Sequence, residues 1–265
     1  MNGLADQVTG PVLAPRDEGY DEERAGWQTA RRHRPDLVVG AARPADVQAA
    51  VTYANGRGLP VAVQGTGHAS AAVAGEGGVL ITTARMSAVR VDADAGTAWV
   101  AAGTRWDQVI REAAPAGLAP LSGSAPHVGA VSYTLGGGLA LLSRRFGYAA
   151  DHVRSLDVVT ADGRLRHVTR DCEPDLLPVI FQAKRTCHWP GQHKSRPAYL
   201  PGQQWVYPQV RLPNVQPGDR PPDQHPLDFR RPLKNREDPG STGSFRTQRP
   251  DLPRYQHGFS TPCPR

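Results

Sequence analysis

The sequence changes character after residue 177, and this change limits what each part can fold into. Residues 1–177 contain 9 prolines and 32 alanines, whereas residues 178–265 contain 16 prolines and 2 alanines. Proline lacks a backbone donor and has a fixed φ, so such a density disfavours helices and central strands. The first part therefore predicts a folded domain, and the second predicts a disordered tail.

The charge of the chain follows the same division. The tail holds 14 Lys and Arg against 6 Asp and Glu, while residues 1–177 hold 17 against 19. A basic tail with Trp189, Trp205 and Tyr207 is compatible with nucleic-acid binding, but its basic residues are scattered, which favours simple disorder. A truncation, or a shifted reading frame in a GC-rich coding sequence, would also give this composition and is the leading explanation. Nucleic acid is therefore not an expected partner.

Targeting and metal-binding signals are weak. The amino terminus lacks a cationic start followed by an apolar stretch, and no segment offers about 18 consecutive apolar residues for a membrane span. We therefore expect a cytoplasmic protein with no membrane partner. The three cysteines, Cys172, Cys187 and Cys263, form no CxxC pair, so neither a disulfide framework nor a metal site is indicated.

Residues 31–177 alternate between strand and helix patterns, and residues 1–30 lead into them. Strands are predicted at "LVVG", "VAVQ", "GVLITT", "VRVD" and "TAWVAAG", and helices at "RPADVQAAVTYANGRGLP" and "TRWDQVIREAAPAG". Thr104 is the predicted N-cap of the second helix. "LDVVTADGRLRHVTR" predicts a hairpin around Asp162 and Gly163. This order predicts an α+β domain.

The decapeptide "VAVQGTGHAS" at residues 61–70 joins a short strand to two glycines and a histidine. Gly65 and Gly67 permit a tight loop whose backbone N–H groups could bind a phosphate, with His68 at its rim. For the decapeptide alone, a simple turn carrying a solvated histidine is the favoured explanation. A Rossmann site is also an alternative, but "GTGHAS" matches only half of GxGxxG and no clear amphipathic helix follows.

A second glycine cluster lies in "SAPHVGAVSYTLGGGLALLSRRFGYAADHV" at residues 124–153. The three consecutive glycines, Gly136 to Gly138, are too flexible for the interior of a helix or strand, which indicates close approach of their backbone to another group. Two such loops in one domain suggest one long ligand that contacts both.

Several separated motifs in residues 10–177 resemble one known family. They are "GYDEERAGWQ", "RPADVQAAVTYANGRGLPVAVQGTGHAS", the segment from "GTRWDQVIREAAPAG" to "GYAADHV", and "RSLDVVTADGRLRHV". In this order they resemble the FAD-binding domain of the vanillyl-alcohol oxidase superfamily, in its berberine-bridge-enzyme-like branch. The resemblance implies a two-subdomain PCMH-type α+β fold over residues 31–177, followed by the tail at 178–265.

The same resemblance implies the site residues. The loop at 64–69 would hold the FAD pyrophosphate, and His68 matches the histidine that is joined covalently to the flavin 8α-methyl group. The second loop would wrap the diphosphate and isoalloxazine, and the stretch ending at Val153 would lead toward the adenine. The expected cofactor-binding residues are Gln64, Gly65, Thr66, Gly67, His68, Ala69, Gly129, Ser132, Tyr133, Gly136, Gly137, Gly138 and Val153.

The chain departs from the family pattern in three respects. Ala125 stands where some relatives have a second flavin-linking cysteine, so one bond is expected, and Ser132 stands where relatives usually have glycine. The substrate domain of relatives has no counterpart after "DCEPDLL", so the catalytic residues are unknown. His127 and Tyr133 are nearby polar candidates, more plausibly packing or flavin contacts.

The resemblance implies an FAD-dependent oxidase that moves a hydride from a C–H bond of a small-molecule substrate, such as an alcohol or sugar, to flavin N5. Dioxygen would then take both electrons. The alternatives are a non-catalytic flavin-binding fragment or gene remnant without its substrate domain, and a nucleic-acid-binding protein.

Overall fold

The computed structural model describes residues 3–29, 32–68, 77–176 and Ile180, together with the backbone of residues 206–215. Its contacts divide the chain into Met1–Gly218 and Asp219–Arg265, and the second unit lies outside the described residues.

The first part of the domain is a four-stranded sheet with the strand order β1-β2-β4-β3. Strands β2, β4 and β3 are parallel, and β1 is antiparallel to β2. Ala62 and Val38 both pair with Leu80, so the carboxyl ends of the parallel strands lie side by side. The elements are β1 (Val12–Leu13), α1 (Tyr20–Glu23), β2 (Leu37–Gly40), α2 (Pro44–Asn55), β3 (Val61–Gln64) and β4 (Val79–Thr82).

Helix α2 packs its apolar face into the core beneath this sheet. Four apolar residues with helical spacing are buried in one cluster with residues of β2 and β4: Val47, Ala50, Val51 and Ala54. Asp46 is fully buried, and its carboxylate accepts hydrogen bonds from the N–H groups of Thr9 and Ala42. The predicted strand "LVVG" and the predicted helix that follows it are therefore confirmed as β2 and α2.

The second part is an antiparallel sheet with the strand order β5-β6-β10-β8-β9, and β7 pairs with β10. Helices α3 and α4 contribute Trp106, Val109, Ala130 and Val131 to the core that covers it. The elements are β5 (Val89–Asp92), β6 (Thr97–Ala101), α3 (Trp106–Ala113), β7 (Ala119–Pro120), α4 (Ala130–Leu135), α5 (Ser143–Phe146), β8 (Ser155–Val159), β9 (Leu165–Val168) and β10 (Val206–Val215).

Strand β10 comes from the segment that the sequence predicted to be disordered. Its backbone pairs with β6 on one side and β8 on the other, from Gln209 opposite Ala101 to Pro213 opposite Thr97 on the β6 side. The prediction of a wholly disordered tail is therefore wrong for residues 206–215. The composition rule failed because the pairing partners of this strand lie on β6 and β8, far away in the chain, while polar and apolar residues alternate only in "QVRL" at 209–212. Ile180 apart, the rest of residues 178–265 lies outside the described residues.

Two smaller expectations are wrong as well. Arg105, not Thr104, is the N-cap of α3, and its N–H donates to the Gln108 side chain at 2.9 Å. Thr104 is buried instead, and its hydroxyl donates to the Ala88 carbonyl at 3.1 Å. Cys172 is disulfide-bonded, whereas the odd number of cysteines had given no indication of this.

Candidate flavin site

Helix α1 precedes residues 24–28, which lie against the first glycine-rich loop, residues 64–68. The Arg85 guanidinium lies 2.6 Å from the Glu23 carboxylate, which also accepts a hydrogen bond from the Thr82 hydroxyl. Burial alone would raise the pKa of Glu23, but the hydrogen bonds from Arg85 and Thr82 lower it. The end of α1 is therefore tied to the carboxyl end of β4.

Gln64 joins this segment to the loop that follows β3. Its side chain is buried, and its amide nitrogen donates to the carbonyls of Ala25, at 3.0 Å, and Arg24, at 3.4 Å. Gln64 is thus in a structural position at the start of the first glycine-rich loop, residues 64–68. Ala69 lies outside the described residues.

The backbone of residues 26–28 crosses the first loop at close range. The N–H groups of Trp27 and Gln28 donate to the carbonyls of Thr66 and Gly67, each at 3.1 Å. Gly67 has φ +72°, and a Cβ there would lie 2.4 Å from the Gly26 Cα. Gly67 is therefore required by the chain's own crossing.

The N–H groups of the first loop remain available. Among the described residues, the N–H groups of Thr66, Gly67 and His68 donate no hydrogen bond. A Cβ on Gly65 would have no neighbour closer than 3.7 Å, and Gly65 does not have a positive φ. Neither the fold's packing nor its backbone conformation requires glycine at 65. Adjacent unpartnered N–H groups beside such a glycine suit the phosphates of FAD.

The second glycine-rich segment, residues 129–138, contains α4 and lies against the first loop; we call it the second glycine-rich loop. The Gly129 N–H donates to the Thr66 hydroxyl at 3.0 Å, which links the two loops directly. The Ser132 hydroxyl donates to the Gly129 carbonyl at 3.2 Å and lies 3.7 Å from the position of a Cβ on Gly65. The structure therefore brings together the two loops that the sequence suggested would share one ligand.

Two of the three consecutive glycines, Gly136 to Gly138, are engaged in contacts within the chain itself. Gly137 and Gly138 have φ of +102° and +70°, and their carbonyls accept hydrogen bonds from the N–H groups of Ala150 and Ala149. A Cβ on Gly138 would lie 2.7 Å from the Ala149 Cβ and 2.9 Å from the Tyr133 ring. Gly136 has no such restriction, because a Cβ there would meet its nearest atom at 3.4 Å.

Tyr133 carries a buried hydroxyl that has no hydrogen-bond partner within the described part of the chain. Its ring meets the Trp106 ring edge to face, with centroids 5.5 Å apart, and burial raises the pKa of its phenol. Val153, by contrast, has its side chain buried in the second core and can offer a ligand only its backbone. An unpartnered buried hydroxyl is costly, so Tyr133 is suited to receive a partner from a bound ligand.

Three rings meet at the end of the first loop, and we call them the ring cluster: Trp27, His68 and His127. The ring centroids of Trp27 and His68 lie 4.9 Å apart with an interplanar angle of 18°. His127 lies 4.3 Å from Trp27 and 4.9 Å from His68. Burial, and then the nearby His127, lowers the pKa of the His68 imidazole, which favours its neutral and nucleophilic form.

Sequence reasoning found two of these three rings and missed the third. Trp27 had been quoted only within the motif "GYDEERAGWQ", and nothing in the sequence connects it with residue 68. No group of three or more His, Cys, Asp or Glu side chains within the described ranges is placed to hold a metal. Nor does any helix among the described residues have the length and apolarity to span a membrane.

The two sheets, with a glycine-rich loop at the carboxyl end of β3, define an α+β domain. The FAD binding domain family matches residues 35–169, and the chain belongs to this family. FAD is the cofactor of this family, and the residues described above fit it.

Individual relatives agree with this assignment. (R)-6-hydroxynicotine oxidase of Paenarthrobacter nicotinovorans is 30% identical over 179 residues, which are 67% of this chain and 38% of that protein. A BBE-like protein of Physcomitrella patens superposes with TM-score 0.67 at 24% identity, covering 80% of this chain and 43% of that one. Glucooligosaccharide oxidase of Acremonium strictum superposes with TM-score 0.65 at 20% identity, covering 80% and 42%.

These comparisons confirm the resemblance to FAD-linked oxidoreductases and the predicted fold of the FAD-binding domain. The chain spans less than half the length of the relatives it matches.

Proposed function

We propose that residues 31–177 hold FAD with its pyrophosphate on the first glycine-rich loop and its flavin joined covalently to His68. The observation that carries this proposal is the row of N–H groups at Thr66, Gly67 and His68, which have no partner among the described residues and end at the imidazole itself. The Acremonium enzyme is described with an 8α-N1-histidyl FAD, which supports the same chemistry here.

The chain's own residues would act in three ways on the bound cofactor. The loop N–H groups bind the phosphates, Ser132 and Gly129 border the same space, and Tyr133 offers its hydroxyl for a hydrogen bond. His68 in its neutral form supplies the nucleophilic nitrogen. Ala125 provides no second attachment point, so a single bond is expected.

The chain is a member of an FAD-dependent oxidoreductase family, and we propose that the full activity is that of an oxidase. The bound flavin would accept a hydride at N5 from a C–H bond of an alcohol, a sugar or a similar small molecule, and dioxygen would reoxidise it. No residue of the described part is assigned as the catalytic base.

A second candidate is a flavin-binding fragment without turnover. The chain spans 38% of the length of the hydroxynicotine oxidase relative, and no described residue is assigned as a catalytic base. Loss of substrate positioning alone removes about 7–11 kcal/mol of barrier lowering. Under this candidate, the purified chain is yellow and forms no hydrogen peroxide with a panel of alcohols and oligosaccharides. Robust peroxide formation selects the oxidase instead.

Acid precipitation tests the attachment. The wild-type protein should keep yellow flavin in the pellet, with the flavin peptide containing residue 68. His68→Ala should release all flavin into the supernatant while retaining some non-covalent binding through the loop N–H groups. His167→Ala is the matched control, because His167 lies on β9 and pairs with Asp157 at 2.7 Å. Flavin retained on the denatured His68→Ala protein contradicts the assignment.

A further inference from the structure

The ring cluster is the feature of the site that the proposed binding of phosphate does not explain. Trp27 is 58% exposed, so burial of its own apolar surface does not account for its position. Its backbone N–H is nevertheless held by the Thr66 carbonyl, and its ring is nearly parallel to the His68 ring. This arrangement holds the indole against one face of the imidazole.

His127 approaches the same imidazole from the second loop region. Its ring is tilted by 36° to that of His68 and by 35° to that of Trp27, and the described residues show no hydrogen bond between the two histidines. Two imidazoles at this range disfavour simultaneous protonation, because like charges repel. Among the described residues, His127 is the titratable group that influences His68.

Attachment of FAD places two demands on His68. The imidazole must be neutral, because a protonated ring has no lone pair for attack, and its nitrogen must be aimed at the 8α carbon. In the reaction, the imidazole N–H bond and one C–H bond of the 8α-methyl group break as the N–C bond forms. The two protons and two electrons released pass to dioxygen, which becomes hydrogen peroxide.

We propose that Trp27 and His127 are positioning residues for the attachment of FAD: Trp27 fixes the orientation of the His68 ring, and His127, whose ring lies 4.9 Å away, disfavours a second charge beside it. The inference rests on the proposed function, since it requires that His68 be the attachment point. It assigns to Trp27 and His127 a role in a self-catalysed modification rather than in substrate turnover.

The two residues should leave different signatures in the rate of attachment. Loss of Trp27 stacking changes the aim of the nitrogen at every pH. Loss of His127 removes the second of the two causes that lower the pKa of His68, so it matters only where His68 can become protonated. The attachment rate of His127→Gln should therefore fall at a higher pH than that of the wild type and should equal the wild-type rate on the alkaline side.

The experiment uses the full chain prepared as apoprotein from flavin-depleted cells and mixed with FAD in air. Covalent flavin is measured by fluorescence in the acid-precipitated protein, as a function of time and pH. Trp27→Leu should slow attachment about tenfold at every pH, since small misplacements of reacting groups have large effects on rate, and Trp27→Phe should restore much of the rate. His167→Gln serves as the control for His127→Gln.

The outcomes separate the inference from the proposed function. If the wild-type chain acquires no covalent flavin, or acquires it at another residue, both the proposed function and this inference are refuted. The inference alone is refuted if the wild-type chain is modified at His68 and the Trp27→Leu and His127→Gln variants are modified at the same rate and with the same pH dependence. A His127→Gln rate that is reduced equally at all pH values also overturns the role assigned to His127.

Discussion

In the first glycine-rich loop, the N–H groups of Thr66, Gly67 and His68 have no partner among the described residues. In the second, the N–H groups of Gly136 and Gly137 donate to the carbonyls of Ser132 and Thr134, and the carbonyls of Gly137 and Gly138 accept hydrogen bonds as well. Both loops are rich in glycine, but the glycine N–H groups differ in use: among the described residues that of Gly67 has no partner, whereas those of Gly136 and Gly137 hold the end of α4.

The comparison also divides the glycines within each loop. Gly67 and Gly138 have positive φ and face atoms closer than 3.0 Å to the position of a Cβ, so the fold requires glycine at both. Gly65 and Gly136 have neither restriction. A glycine that the fold does not need is better evidence for a ligand than one that the fold needs, which makes Gly65 the most informative residue of the first motif.

The largest expected difference lies within the first loop. Gly67→Ala should lower the free energy of unfolding by about 2–4 kcal/mol, because the methyl group meets the Gly26 backbone and φ is positive. Gly65→Ala should change it by less than about 0.5 kcal/mol while lowering the fraction of FAD bound. Denaturant unfolding of the apoprotein and flavin absorbance measure the two quantities. Equal losses of stability in Gly65→Ala and Gly67→Ala, or full FAD loading of Gly65→Ala, would contradict the different roles assigned to these two glycines.

The parts of the fold that could be predicted from the sequence are those that neighbouring residues in the chain specify. The strands at 37–40, 61–64 and 89–92 were predicted with their observed bounds, because periodicity and flanking glycines specify them locally. Strand β10 was missed because Pro208 and Pro213 argued against a central strand, whereas its pairing partners are more than forty residues away in the chain.

The candidate site shows the same limit. His68 and both glycine-rich loops were predicted from motifs that are contiguous in the chain. Trp27 could not be connected with them, because its position depends on the crossing of residues 26–28 over the first loop, which only tertiary structure creates. The motifs likewise gave no means of separating Gly65 from Gly67, since both are glycine and only their φ and neighbours differ.

A smaller difference is expected within the second loop. Gly138→Ala should lower the free energy of unfolding by about 2–3 kcal/mol, because its methyl group meets the Ala149 Cβ and the Tyr133 ring at positive φ. Gly136→Ala should stay within about 0.5 kcal/mol of the wild type. Thermal or denaturant unfolding of both variants under one condition tests this. If Gly136→Ala were the more damaging substitution, the division of the triple glycine would be wrong.

The smallest expected effect concerns Tyr133, the residue at which the second loop still offers a polar group to a ligand. Its hydroxyl is buried without a partner within the described residues, so Tyr133→Phe removes an unsatisfied group while keeping the ring against Trp106 and Gly138. The apoprotein should become more stable, by up to about 1 kcal/mol, because the cost of burying the hydroxyl is removed.

The FAD-loaded protein should respond in the opposite direction if the hydroxyl meets the cofactor. Tyr133→Phe should then lose part of the stabilisation that FAD gives to the wild type, measured as the difference in unfolding midpoint with and without FAD at one FAD concentration. A matched change at another tyrosine, Tyr53→Phe, which keeps its ring against the first core, should move neither midpoint by a comparable amount. A Tyr133→Phe apoprotein less stable than the wild type would show that the hydroxyl already has a partner in the folded chain, and the second loop would then be a wholly structural element.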